Sequence, residues 1–65
     1  MILENIKKEA ARKKMTIYKL EKEAGLANGT VARWNKHYPR VDKLFFVSAV
    51  LGVTLNDLFY GRRET

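Results

Sequence analysis

The chain has 65 residues, no cysteine and a formal charge of +6, from thirteen Lys and Arg against seven Asp and Glu. That length holds one small domain with a modest core, and the missing thiol excludes a disulfide framework, a thiolate zinc site and a cysteine nucleophile. The charge points to a polyanionic partner, most simply nucleic acid, ahead of a protein that is merely basic.

Leu3, Ile6 and Ala10 recur at helical spacing between Glu4, Lys7, Lys8 and Arg12. This predicts a first helix over 2–13 whose apolar stripe faces the core. Charge interrupts the apolar residues at once, so the start does not read as a secretory signal. Arg12-Lys13-Lys14 reads as a solvated charge run. Thr16 is suited to cap a second helix over 17–24, with Ile17, Leu20 and Ala24 on one face. Gly25 ends it, since glycine tolerates a positive φ there, and Leu26 tucks into the core beneath the turn.

Asn28-Gly29 is a strong hairpin signal, and Asn28-Gly29-Thr30 spells a glycosylation acceptor. A hairpin needs alternating strands on both sides. Upstream lies a helix, and downstream Val31, Trp34 and Tyr38 recur at spacings of three and four. The segment therefore predicts a third helix over 28–36 with Asn28 and Gly29 in its first turn. Glycine costs little there, because first-turn amides have no partner within the helix, and it leaves the backbone open to an approaching group. Trp34 lies in the core stripe, a reading favoured over stacking on a nucleic acid.

Pro39 breaks the third helix. Val41, Leu44, Val47, Ser48 and Leu51 line one side of a fourth helix over 41–51, ended by Gly52. Thr54 and Asp57 form a short version of the capping box for a fifth helix over 55–60, carrying Leu55, Leu58 and Phe59 and stopped by Gly61. Arg62-Arg63 reads as a frayed tail. The longest apolar run, Leu44 to Val53, is ten residues, against about 20 for a membrane span. With no route across a membrane, the sugar reading loses its compartment and a cytoplasmic protein is expected.

The expected fold is all-α: a compact bundle of five short helices, one domain over residues 1–65. Two helices joined by a tight glycine turn, then a third with polar residues at its start, make a helix-turn-helix arrangement. Residues 15–61 also resemble the Cro and repressor helix-turn-helix family of phages and bacteria. The carriers are MTIYKLEKEAGLANGTVARW, then P-x-V-D-K-L, then LGVTLNDLF. The resemblance implies a lambda-repressor-like DNA-binding domain, a transcription regulator such as a repressor, and a pseudo-palindromic operator in double-stranded DNA bound by a homodimer. Three positions depart from the family pattern. Ile17 stands where a glutamine braces against phosphate; isoleucine cannot brace in that way, so the role is either empty or filled by Thr16, Tyr18 or Lys19. Glu21 stands where a small residue lets the third helix pack close, so it must bend outward or pair with Arg33 or Lys22. Ala27 stands where Ser or Thr caps the third helix, which leaves Asn28 as the substitute cap.

By family position the base-reading residues are Asn28, Gly29, Ala32 and Arg33. Arg33 carries a fork that fits the O6 and N7 acceptors of guanine; a pair with Glu21 or a phosphate is the competing reading. Asn28 either pairs with adenine or serves as the cap. Gly29 and Ala32 offer close approach or a thymine-methyl contact. Phosphate contacts fall to Thr16, Tyr18, Lys19, Thr30, Lys36, His37, Tyr38, Arg40 and Lys43. His37 is the sole histidine, a phosphate neighbour or bystander with no second metal ligand in view.

The fourth helix is apolar nearly all round, with Phe45, Phe46, Ala49 and Val50 pointing away from Leu44 and Leu51. A small monomer cannot cover both sides, and such a patch marks a partner surface. A second copy is the expected occupant, with Phe59 and Tyr60 joining; the bland alternative folds Phe45 under the fifth helix. No nucleophile–base pair and no glycine-rich phosphate loop stand at a useful spacing, so no enzyme, cofactor, metal or small-molecule substrate is expected. The rival function is a protein-interaction module, antirepressor-like or antitoxin-like, acting through the fourth helix.

Overall fold

In a computed structural model, which describes residues 2–61, the chain forms α1 (Ile2–Arg12), α2 (Ile17–Glu23), a 3₁₀ segment (Val31–Asn35), α3 (Val41–Leu51) and α4 (Leu55–Tyr60). No strand occurs among the described residues, which leaves the hairpin reading without support. The all-α expectation holds with one correction: four α-helices and a 3₁₀ segment stand in place of five α-helices. The expected tail at Arg62-Arg63 lies outside the described residues.

Three helix ends share one device. At the end of α1 the Lys14 N–H donates to the Ala11 carbonyl at 3.0 Å and the Met15 N–H to the Ala10 carbonyl at 2.9 Å. At the end of α2 Gly25 and Leu26 donate to Lys22 and Glu21 at 3.2 and 2.8 Å, and after α3 Gly52 and Val53 donate to Ala49 and Ser48 at 3.2 and 3.0 Å. This pairing satisfies the last carbonyls of a helix and needs a left-handed residue at its first donor. Gly25 and Gly52 supply it without steric cost, whereas α1 uses Lys14 at φ 55°. The second donor is apolar each time, and Met15, Leu26 and Val53 all pack half-buried against the core. Each stop signal thus also closes the base of the hydrophobic interior.

Helix starts are equally local. The Lys19 N–H donates to Thr16 Oγ1 at 3.1 Å, capping α2. The Asp57 N–H donates to Thr54 Oγ1 at 3.1 Å, and the Thr54 N–H donates to Asp57 Oδ2 at 3.0 Å, completing the capping box of α4. Between these elements sits one core: Ile2, Ile6 and Ala10 from α1, Leu20 from α2, Val31 and Trp34, Leu44, Val47 and Leu51 from α3, and Leu58 from α4. α1 packs against α4 and the 3₁₀ segment, and α2 against α3. Asn5 Nδ2 donates to the Leu58 carbonyl at 2.8 Å, tying α1 to α4.

The third element departs most from expectation. Residues 28–30 form a turn, and only Val31–Asn35 are helical, as 3₁₀ rather than α. With three residues per turn, positions i and i+3 lie on one side, so Val31 and Trp34 both reach the core, at 0% and 8% exposure. The segment ends before an α-helical stripe can extend to Tyr38, which is 87% exposed. Val41 is a second correction: at the open start of α3 it is 67% exposed rather than on the inner face.

Candidate nucleic-acid interface

The surface of interest is built by α2, the turn after it and the 3₁₀ segment. Leu20 anchors α2 in the core, leaving Tyr18, Lys19 and Lys22 exposed. Gly25 turns the chain and Leu26 pins it, which carries Asn28 back beside α2. Tyr18, Glu21, Lys22, Leu26 and Asn28 line one depression. Because Val31 and Trp34 face inward, Ala32 and Arg33 face solvent.

Glu21 organises this region in a way that the sequence reading missed. Its side chain is 2% exposed rather than bent outward. The Gly29 N–H donates to Glu21 Oε1 at 3.1 Å and the Val31 N–H donates to Glu21 Oε2 at 2.8 Å. A carboxylate that accepts backbone amides makes bonds roughly twice as strong as neutral ones, and these bonds offset the cost of burying it. Glu21 therefore does not pair with Arg33 or Lys22. It takes the role of the missing cap, and Asn28 does not: Thr30 holds the cap position, and its hydroxyl donates back to the Ala27 carbonyl at 2.7 Å. Gly29 also has a different reason for being glycine. Its amide is bonded rather than idle, and its φ of +90° is one that a side chain strains. The available signal was an acidic residue at a position where the family pattern has a small one; its partners, eight and ten residues on, had no sequence mark.

The remaining expected residues fall into separate groups. Thr16 is exposed and its oxygen is engaged as the cap of α2, while Lys19 is exposed beside it. Thr30 and Lys43 are half-buried. Lys36, His37 and Tyr38 line a groove with Trp34, Phe59 and Tyr60, away from the depression at Asn28. Arg40 sits at 3.5 Å from Asp42 and borders a third depression, formed by Val41, Phe45, Phe46 and Leu55. Phe45 and Phe46 are 56% and 48% exposed, so α4 covers neither. Ala49 is exposed and Val50 half-buried. Phe59 and Tyr60 thus do not line the depression of Phe45 and Phe46, and instead share one with residues expected to touch phosphate.

Chemically, Asn28, Arg33 and Ala32 offer an amide, a guanidinium and a methyl on a backbone held by Glu21, with Tyr18 and Lys22 beside Asn28 and Lys19 exposed on the same helix as these two. That arrangement can present hydrogen-bond donors to base edges and cations to phosphates. No curated protein and no solved structure is a significant match to the chain. A family model described as the Cro/C1-type HTH DNA-binding domain matches residues 5–60, from α1 to the last residue of α4. With its glycine turn, capped helices and outward Asn28–Arg33 surface all inside that match, the chain belongs to the Cro/C1-type HTH DNA-binding domain family.

Proposed function

We propose that this chain is a sequence-specific double-stranded DNA-binding transcription regulator of phage or bacterial type. It folds as one domain over residues 1–65, acts in the cytoplasm and binds a pseudo-palindromic operator as a homodimer. The 3₁₀ segment enters the major groove with the turn before it, where Arg33 reads guanine, Asn28 reads adenine, and Ala32 and Gly29 allow close approach. The observation that carries this reading is the exposed, uncommitted state of Asn28 and Arg33: Glu21, the acid that the sequence offered as a partner for Arg33, is engaged by two backbone amides instead. Tyr18, Lys19 and Lys22 flank the readers and supply phosphate contacts, and the charge of +6 favours association with a polyanion. Among the described residues no helix is long and apolar enough to cross a membrane.

The second copy meets the first across Val41, Phe45 and Phe46, an apolar depression bordered by Arg40 and Asp42. Two half-sites one helical turn apart, ~34 Å, then fall on one face of the duplex. The same apolar face favours a second reading, a protein-interaction module. Salt separates the two. A selection from random duplex DNA at two salt concentrations recovers an operator at the lower one, with affinity falling steeply as salt rises through counterion release. On that operator Arg33→Ala costs about 1–3 kcal/mol at one base position. Equal losses on operator and random duplex make Arg33 a phosphate contact, and failure to retain any duplex overturns the regulator reading.

A further inference from the structure

We propose that Glu21 is the positioning residue of the reading surface: its buried carboxylate sets the orientation of Asn28, Ala32 and Arg33, and through them sequence specificity, without itself touching DNA. The inference rests on the function proposed above and goes beyond it.

The Val31–Asn35 segment lacks the i to i−4 ladder of an α-helix, and a 3₁₀ run of this length is near the limit of what such bonding sustains. Burial of Val31 and Trp34 holds the segment down but leaves it free to roll about its axis and to slide at its open end. Glu21 removes both freedoms. Its two oxygens hold two amides, at Gly29 and Val31, on either side of Thr30. A rigid, planar group bound at two points fixes a backbone in rotation as well as position. Asn28 precedes the first point and Ala32 and Arg33 follow the second, so all three leave the surface in directions that the carboxylate dictates. α2, which carries Glu21, is also the element of Tyr18 and Lys19. One residue therefore couples the register of the backbone contacts to that of the base contacts.

Glu21 shares the depression of Tyr18, Lys22, Leu26 and Asn28, but at 2% exposure and with both oxygens accepting backbone amides it offers a duplex almost no surface. This separates positioning from reading. Removing a reader weakens one base contact. Releasing the turn blurs all of them, while the phosphate contacts of α2, set by Leu20 and the Thr16 cap, stay in place. The chemistry also names the informative variant. Glutamine keeps the size of Glu21 but offers one acceptor and one donor, so one of the two amides faces an N–H₂ group. It also removes a negative charge beneath the interface, which favours binding to any duplex.

The test uses fluorescence anisotropy at one salt concentration on two probes: an operator selected by the native protein, and a random duplex. Native protein is compared with Glu21→Gln, and amide hydrogen exchange is followed in both. The expected result is operator affinity on the order of tenfold lower, the scale of one broken hydrogen bond to a charged group. Random-duplex affinity stays equal or rises. The Gly29 and Val31 amides are protected in the native protein and one of the two loses its protection in the variant, with the Leu20 and Leu44 amides unchanged. A purely structural role lowers both affinities together, in proportion to the unfolded fraction, and that outcome overturns the proposal. So does an unchanged operator-to-random ratio, or an unprotected Val31 amide in the native protein. Where Glu21→Gln melts, Glu21→Asp makes the same test: it keeps the charge but is one methylene short of reaching both amides. A native protein that selects no operator sinks the regulator reading; one that selects an operator while both ratios stay fixed sinks only the role of Glu21.

Discussion

Lys14 and Gly25 occupy the same left-handed position at the ends of α1 and α2, with φ of 55° and 75°. A side chain in that conformation costs about 1–2 kcal/mol, and glycine offsets about 0.5–1 kcal/mol of its advantage through the entropy of the unfolded chain. The backbone cost is the larger, so the two positions respond with opposite sign to exchange. Lys14→Gly is expected to stabilise the domain by about 0.5–1 kcal/mol, seen as a rise of a few degrees in Tm. Gly25→Ala is expected to destabilise it by about 1 kcal/mol. The added methyl meets no atom within 4 Å, so that loss is a backbone effect alone. Thermal melts of the two variants check both signs. Glycine at 25 was legible because a helical stripe stops there. Lysine at 14 was not, since nothing in a basic run distinguishes a left-handed residue from a solvated one.

No element among the described residues reaches about 12–15 residues, the length below which an isolated helix is marginal in water, and the two shortest are α4 and the 3₁₀ segment, of 6 and 5 residues. They are held in different ways. α4 carries its own start signal, the Thr54–Asp57 capping box, and adds one buried anchor, Leu58. Thr54→Ala is expected to cost about 0.5–2 kcal/mol and to raise hydrogen exchange across Leu55–Tyr60 before the rest of the domain opens. Unchanged exchange there would assign the stability of α4 to packing alone. The 3₁₀ segment has no side-chain cap of its own and depends on Glu21 from α2 and on the core. This difference explains why the bounds of α3 and α4 follow from residues inside or beside them, Pro39 and Gly52 or Thr54 and Gly61, whereas an α-helix expected over 28–36 shortens to 31–35. Periodicity identified the inward side of both correctly at Val31 and Trp34. It does not distinguish three residues per turn from 3.6 over so short a run, and so it misplaced Tyr38.

For the molecule as a whole, one core serves every element, and apolar residues remain outside it. Val41, Phe45 and Phe46 are exposed together around one depression. Phe46→Lys is expected to shift the protein from dimer to monomer, with sedimentation of the native and substituted proteins as the measurement. It also weakens operator binding more than single half-site binding, because only the operator uses both copies. A native protein that sediments as a monomer, with and without the substitution, removes the dimer from the proposal. Phe59 and Tyr60 line the groove of Trp34 and His37, apart from that depression.

Local chemistry determined the all-α class, the ends of most helices and the inward residues of each, because caps, left-handed turns and helical periodicity act over fewer than about five residues. The family match, over residues 5–60, spans those same local patterns. Tertiary structure alone decided what holds the Asn28–Arg33 surface, which depressions the exposed residues share and how far the third helix extends. Those outcomes depend on groups distant in sequence meeting in space. A carboxylate that binds amides eight and ten residues away leaves no periodic trace, and its geometry exists only once α2 and the turn have packed on the same core.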